Sequence, residues 1–143
     1  MTATALIIGI SGNIGTATAA AFLAHGWQVR ALARDVASAR RGLPFGERVD
    51  WRQADALDRD DMVQAAAGAD VILHAANPPG YRRWRELALP MLDNAIAAAG
   101  ASGARLLFPG NIYPYGPDAW PVLREDAPQH PVSRKGRIRV DME

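Results

Sequence analysis

The stretch Thr4-Ala5-Leu6-Ile7-Ile8-Gly9-Ile10-Ser11-Gly12-Asn13-Ile14-Gly15 constrains the fold more than any other part of this chain. The apolar, β-branched run from Leu6 to Ile10 leads into glycines spaced by three, and small and apolar residues continue from Ile14 to His25. Such a run suits a parallel strand buried on both faces. The helix expected behind it starts with Asn13 as N-cap and is stopped by Gly26. Glycine accepts backbone angles that side chains resist, and it lets the main chain come very close to a neighbour. At the positive end of a helix, that closeness suits a phosphate group. The backbone from Gly9 through Ser11, Gly12, Asn13 and Ile14 to Gly15 is therefore the expected cradle for the pyrophosphate of a dinucleotide.

The rest of the chain repeats the same alternation. Gln28–Ala33 reads as a second strand, Val36–Arg41 as a short helix before the break Gly42-Leu43-Pro44-Phe45-Gly46, and Val49–Gln53 as a third strand. Asp58 to Asp61 opens a helix with acidic residues in its first turn, and Gly68 closes it. Asp70 to Ala76 is the expected fourth strand, Glu86 to Ala99 a long alanine-rich helix, and Arg105 to Phe108 the fifth strand. Pro90 either kinks that helix or falls in its first turn. Strands alternating with helices predict an α/β fold: a Rossmann-type, doubly wound parallel sheet in the order 3-2-1-4-5. A long loop rich in proline, glycine and tyrosine runs from Pro109 to Pro131, and Ser133 to Glu143 reads as an opening helix. The expectation is a single domain over residues 1–143, truncated before its last strands and a substrate domain.

With 143 residues, 49% of them hydrophobic, the chain can bury one core. Sixteen basic residues against fifteen acidic ones leave a charge of +1, which argues against nucleic acid and against a membrane surface as partners. The apolar runs fall far short of the roughly 20 residues of a membrane span. No cysteine is present, so no disulfide framework or thiolate chemistry arises, and a cytoplasmic protein is expected. His25, His74 and His130 lack ligand spacing, and no metal site is expected.

Arg34 stands nineteen residues after Gly15, at the end of the second strand. An acid at that place would bond the adenosine ribose 2′-hydroxyl of NAD, whereas a guanidinium suits the 2′-phosphate of NADP. NADP is thus the expected cofactor, with the adjacent Asp35 keeping NAD in play. Arg40 and Arg41 either add positive charge there or form a solvated helical pair. Asp55, after the third strand, either accepts a hydrogen bond from the adenine amino group or caps the next helix. Ala75 and Ala76 end the fourth strand with side chains small enough to leave room for a cofactor, and His74 reads as structural.

Taken together, Gly9-x-x-Gly12-x-x-Gly15, Arg34, Asp55 and His74-Ala75-Ala76 resemble the extended, nucleotide-sugar epimerase/dehydratase-like branch of the short-chain dehydrogenase/reductase superfamily, over essentially the whole chain. That resemblance implies a Rossmann domain followed by a smaller substrate domain that this sequence lacks. It also implies a catalytic row: a Ser or Thr four residues before a Tyr-Gly pair, then Tyr-x-x-x-Lys at the start of the next helix. Tyr115-Gly116 fits the first landmark and places Asn111 in the Ser/Thr slot. Lys135 then stands for the Tyr and Arg139 for the Lys, so the whole set is replaced.

An amide at Asn111 can still donate a hydrogen bond to a substrate oxygen. A lysine at 135, desolvated beside Arg139, loses its proton more readily, and Arg139 can bond the nicotinamide ribose. Alternatively, Lys135, Arg137 and Arg139 are a solvated basic helix start, and Tyr113 and Tyr115 are rival proton donors. Two functions follow from the resemblance. One is an NAD(P)-dependent oxidoreductase or epimerase acting on a small carbonyl or sugar-like substrate. The other is a cofactor-sensing regulatory or partner-binding protein that has lost the chemistry. The resemblance further implies a homodimer through the helices after the fourth and fifth strands.

Overall fold

The structure, a computed structural model, describes residues 2–143. It divides into two compact units, Met1–Phe108 and Pro109–Glu143. The first contains strands β1 (Thr4–Ile8), β2 (Gln28–Ala33), β3 (Val49–Gln53), β4 (Val71–His74) and β5 (Arg105–Leu107). Between them run helices α1 (Asn13–Ala24), α2 (Val36–Arg41), α3 (Arg59–Ala66) and α4 (Trp84–Ser102). All strand pairs are parallel, in the order β3-β2-β1-β4-β5, which is the order expected.

Side chains alternate across β1, so one strand feeds two cores. Leu6 and Ile8 point to one face with Met62 of α3, Ile72 of β4 and Ala95 and Ala98 of α4. Ala5 and Ile7 point to the other with Ala19 and Leu23 of α1 and Val29 of β2. Residues 5–8 are 0% exposed, as a central strand covered by helices on both faces requires. Across the sheet Arg30 of β2 reaches the end of α3, donating to the carbonyls of Ala65 at 2.8 Å and Ala67 at 2.7 Å, and to Asp50 at 2.8 Å. A cation there satisfies carbonyls that the helix leaves open.

Several boundaries differ from expectation, each for a local reason. β1 ends at Ile8 rather than Ile10 because Gly9 turns into the left-handed region, φ 87°. At the other end β1 starts at Thr4, whose amide donates to the Asp70 carboxylate at 2.8 Å. β4 stops at His74 rather than Ala76. Ala75 still donates to the Ile8 carbonyl at 2.9 Å, but beyond Ile8 the neighbouring strand has turned away. The N-cap of α1 is Gly12, with no side-chain cap, and Asn13 is already helical. α4 begins two residues before Glu86, extends to Ser102 and carries Pro90 in its interior. Pro90 is exposed, so the carbonyl it leaves without a donor can turn to water.

In the second unit a 3-10 turn at Pro117–Ala119 follows the loop after β5, and the chain ends in α5 (Arg134–Met142). Ser133 caps α5 by accepting from the Gly136 amide at 3.0 Å. Gly136 is required by close packing: a Cβ there would lie 2.3 Å from the Tyr113 carbonyl oxygen. α5 is thereby seated directly on the Asn111–Tyr113 turn.

Candidate functional site

The C-terminal ends of β1, β2 and β4 stand level, with Ile8 opposite both Leu32 and His74. β1 connects through α1 to β2 on one side, and β4 lies on the other, so the chain reverses direction of travel at this edge. A crevice opens at such a switch point in a doubly wound sheet. Here it is a cavity of about 860 Å³, lined by Gly9, Ser11, Gly12, Arg34, Asp55, Ala75 and Ala76 among others.

The glycine turn is built by backbone contact. A Cβ on Gly9 would fall 2.6 Å from the Ala76 amide nitrogen and 2.8 Å from the Ala75 carbonyl carbon. A Cβ on Gly15 would fall 2.1 Å from the Gly9 carbonyl oxygen. The Thr16 hydroxyl donates to the Ile10 carbonyl at 2.8 Å, and Gly12 donates to the Gly9 carbonyl at 3.1 Å, which locks the turn onto the first turn of α1. Because Gly12 offers no capping side chain, the first amides of α1, on Asn13, Ile14 and Gly15, keep their hydrogen-bonding capacity for something else. Asn13, Ile14 and Gly15 do not line the cavity. Gly15 sits behind it as the packing element that lets α1 come this close.

At the β2 and β3 ends Arg34, Asp35 and Asp55 all stand on the cavity wall. The Asp35 carboxylate is the N-cap of α2, accepting from the Ser38 amide at 3.0 Å. Arg34 is exposed on the cavity wall and makes no ion pair among the described residues. Asp55 is not a helix cap: Asp58 caps α3, and Asp55 accepts from the Leu57 amide at 3.0 Å in the turn before it. Leu43 and Pro44, read from sequence only as a chain break, form part of the wall beside Arg34. Asn77 and Pro78 after β4, and Leu87 and Met91 of α4, complete the other end. Pro78, Leu87 and Met91 are apolar residues inside a Pro-rich turn and an alanine-rich helix, which gave no separate signal. His74 is 1% exposed and stacks on Phe108 with ring centroids 5.8 Å apart, the structural placement expected of it.

The candidate catalytic residues all belong to the second unit. Asn111 Oδ1 accepts from the Tyr113 amide at 2.9 Å, which leaves the amide nitrogen of the side chain to donate elsewhere. Tyr113 and Lys135 are exposed. Arg139 lies one turn after Lys135 on α5 and is only 5% exposed. Its Nε donates to Glu143 at 2.7 Å and its Nη2 donates to the Pro109 carbonyl.

His130 Nδ1 pairs with Asp118 Oδ2 at 2.7 Å. The hydrogen bond from His130 holds the Asp118 carboxyl below its ordinary value. A carboxyl depressed by folding stabilises the fold above its unfolded pKa, and that contribution disappears as pH falls through the folded one. Replacing His130 with alanine is expected to return Asp118 to the ordinary carboxylate range. A carbon-detected NMR titration of the Asp118 side chain, run below about pH 5, reads this directly.

A Rossmann-type α/β unit with an uncapped helix start over a glycine turn defines a dinucleotide-binding protein. A family model described as NAD(P)H-binding matches residues 9–121, and the chain belongs to that family. Over 135 residues it is 33% identical to a 3-diazoavenalumate denitrifying reductase of Streptomyces sp, covering 86% of this chain and 42% of that protein. Among solved structures, the UDP-N-acetylglucosamine 4-epimerase from Bacillus cereus superposes with a TM-score of 0.80 at 14% identity. That match covers 99% of this chain and 48% of the epimerase. Uronate dehydrogenase from Agrobacterium tumefaciens, in a mutant form complexed with NAD, gives a TM-score of 0.77 at 20% identity, covering 99% of this chain and 54% of the dehydrogenase. The chain thus spans about half the length of these proteins. The NAD(P)H-binding model gives the family, and the likeness to the epimerase and dehydrogenase structures is one of fold. Among the described residues no helix is long and apolar enough to cross a membrane.

Proposed function

We propose that this chain is the cofactor-binding part of an NADP(H)-dependent oxidoreductase or epimerase that acts on a small carbonyl or sugar-like substrate. The observation that carries this reading is the pairing of an open α1 start with an unpaired Arg34 on the same cavity wall. The crevice fits the group. The glycine turn from Gly9 to Gly12 at the open start of α1 would take the pyrophosphate, Arg34 the 2′-phosphate, and Asp55 the adenine amino group. Asp35, on the same cavity wall, uses one carboxylate oxygen to cap α2 at Ser38. Bound there, the nicotinamide supplies hydride transfer. Within the second unit, Asn111 would donate to a substrate oxygen and Lys135 would hold an exchangeable proton at Nζ, with Tyr113 as the rival donor. The reductase, epimerase and dehydrogenase among its relatives support an enzymatic role by analogy.

Titration with NADPH and NADH tests the cofactor. Replacing Arg34 with alanine is expected to weaken NADPH binding about tenfold and to leave NADH within about twofold. An equal loss for both cofactors would remove the NADP assignment.

The bonds of Arg139 favour a second reading, a cofactor-sensing protein without chemistry, because its guanidinium is already engaged by Glu143 and Pro109. NADPH oxidation above background with any member of a carbonyl panel excludes that reading, and loss of the turnover in a Lys135→Ala variant assigns the proton to Lys135.

A further inference from the structure

The segment from Asn77 to Leu87 leaves β4 and returns to the same cavity as the start of α4. Both of its ends line the crevice, Asn77 and Pro78 at one and Leu87 at the other. Trp84 pins the arch between them. Its ring is 6% exposed, its indole N–H donates to Asn77 Oδ1 at 2.6 Å, and Tyr81 meets it edge-on with centroids 5.1 Å apart.

On this anchored arch stand Arg82, Arg83 and Arg85, with Glu86 the one acid of the stretch. All three arginines are exposed. The side chains of Arg82 and Arg83 make no ion pair among the described residues. Local stability runs against this arrangement. Among the described residues, Tyr81 at φ 58° and Arg83 at φ 47° are the non-glycine residues in the left-handed region, where a side chain is strained. Arg83 is moreover the N-cap of α4, a position that prefers a small acceptor, and its charge lies at the helix end that repels cations. Strained backbone beside a crevice, holding residues that destabilise their own surroundings, is the pattern of a recognition element.

We propose that Arg82 and Arg83 form an oxyanion-binding rim over the reacting half of the crevice and take a carboxylate or phosphate group of the substrate. This rests on the cofactor reading above. Arg34 and Asp55 place the adenosine half at the ends of β2 and β3, to one side of β1, so the nicotinamide half extends toward β4 on the other side. An anion held at the β4–α4 arch is then the substrate's and not the cofactor's. Guanidinium forks match both carboxylate and phosphate with paired hydrogen bonds.

Calorimetric titration of the NADP-saturated chain tests the rim with benzoate, its neutral isostere benzamide, and UDP as a diphosphate. Benzoate or UDP is expected to bind and benzamide is not, and whichever anion binds more tightly names the group the rim takes. The double variant Arg82→Ala/Arg83→Gly is expected to weaken that anion roughly tenfold or more while the NADP Kd stays within about twofold. Arg83→Gly alone suits the left-handed backbone, so it is expected to raise Tm while weakening the anion, a combination that an arginine with a structural role would not give.

Benzamide binding as well as benzoate, no anion binding at all, or anion affinity unchanged in the double variant would each overturn the rim. If NADP fails to bind the unaltered chain but the anion still depends on the two arginines, the cofactor reading falls and the rim stands.

Discussion

Gly15→Ala is expected to remove measurable NADPH binding and to destabilise the Met1–Phe108 unit by about 3 kcal/mol. The new methyl would lie 2.1 Å from the Gly9 carbonyl oxygen, 2.8 Å from the Gly9 carbonyl carbon and 2.8 Å from the Ile10 Cα. All three are backbone atoms, so no side-chain rotation relieves the overlap, and α1 has to lift away from the turn. Lifting it takes the first-turn amides out of line with the phosphate site and breaks the Thr16 bond to Ile10. Gly12→Ala separates the two effects. Its Cβ meets only the Gly9 carbonyl oxygen, at 3.5 Å, and its backbone at φ −80° and ψ 163° accepts any residue. Stability should therefore change by less than about 1 kcal/mol, while a methyl on the cavity wall weakens NADPH by about tenfold or more. Urea midpoints and fluorescence titration of both variants give the comparison. Gly15→Ala binding NADPH like the unaltered chain would show that the cradle does not hold the phosphates.

The strand order was legible because it follows from alternation and handedness, which need only the existence of each element. Boundaries were less so, since they depend on single residues. Gly9 could be seen as permissive, but the sequence does not say that it turns at φ 87° and cuts β1 at Ile8. The start of α4 was missed because Arg83 carries none of the usual signals of a helix start and adopts a left-handed angle instead.

In the candidate site, the placement of small residues and of residues at strand ends was the readable part. Gly9, Gly12, Arg34, Asp55, Ala75 and Ala76 all line the crevice. Residues with two possible partners were not readable. Asp35 read only as a partner for the ribose, and three-dimensional placement shows its capping bond to Ser38. The apolar wall from Leu43 and Pro44 to Leu87 and Met91 is assembled from distant segments that share no spacing.

Arg139 poses the same ambiguity in the second unit, and its substitution is the other change of large expected effect. Its neighbour at i+4 is Glu143 in one direction and Lys135 in the other, so spacing alone allows either a structural or a ligand role. The side chain is 6% exposed against 23% for Glu143, and it also holds the Pro109 carbonyl, which ties α5 to the beginning of its own unit. Arg139→Ala takes the donor from that carbonyl and leaves the carboxylate with Gln129, which donates to its other oxygen at 3.2 Å. Removing one partner of a buried pair costs roughly 3–5 kcal/mol, and the partial exposure of Glu143 reduces this to about 2 kcal/mol. Lysine keeps the charge but not the fork, so Arg139→Lys should recover only part of the loss. Hydrogen exchange over residues 109–143 is expected to accelerate in both variants, more so with alanine, while the NADPH Kd remains within about twofold. A ligand of the nicotinamide ribose would behave in the opposite way, with slow exchange preserved and NADPH affinity lost. That outcome would return Arg139 to the catalytic row and remove the main structural argument for a protein that only senses its cofactor.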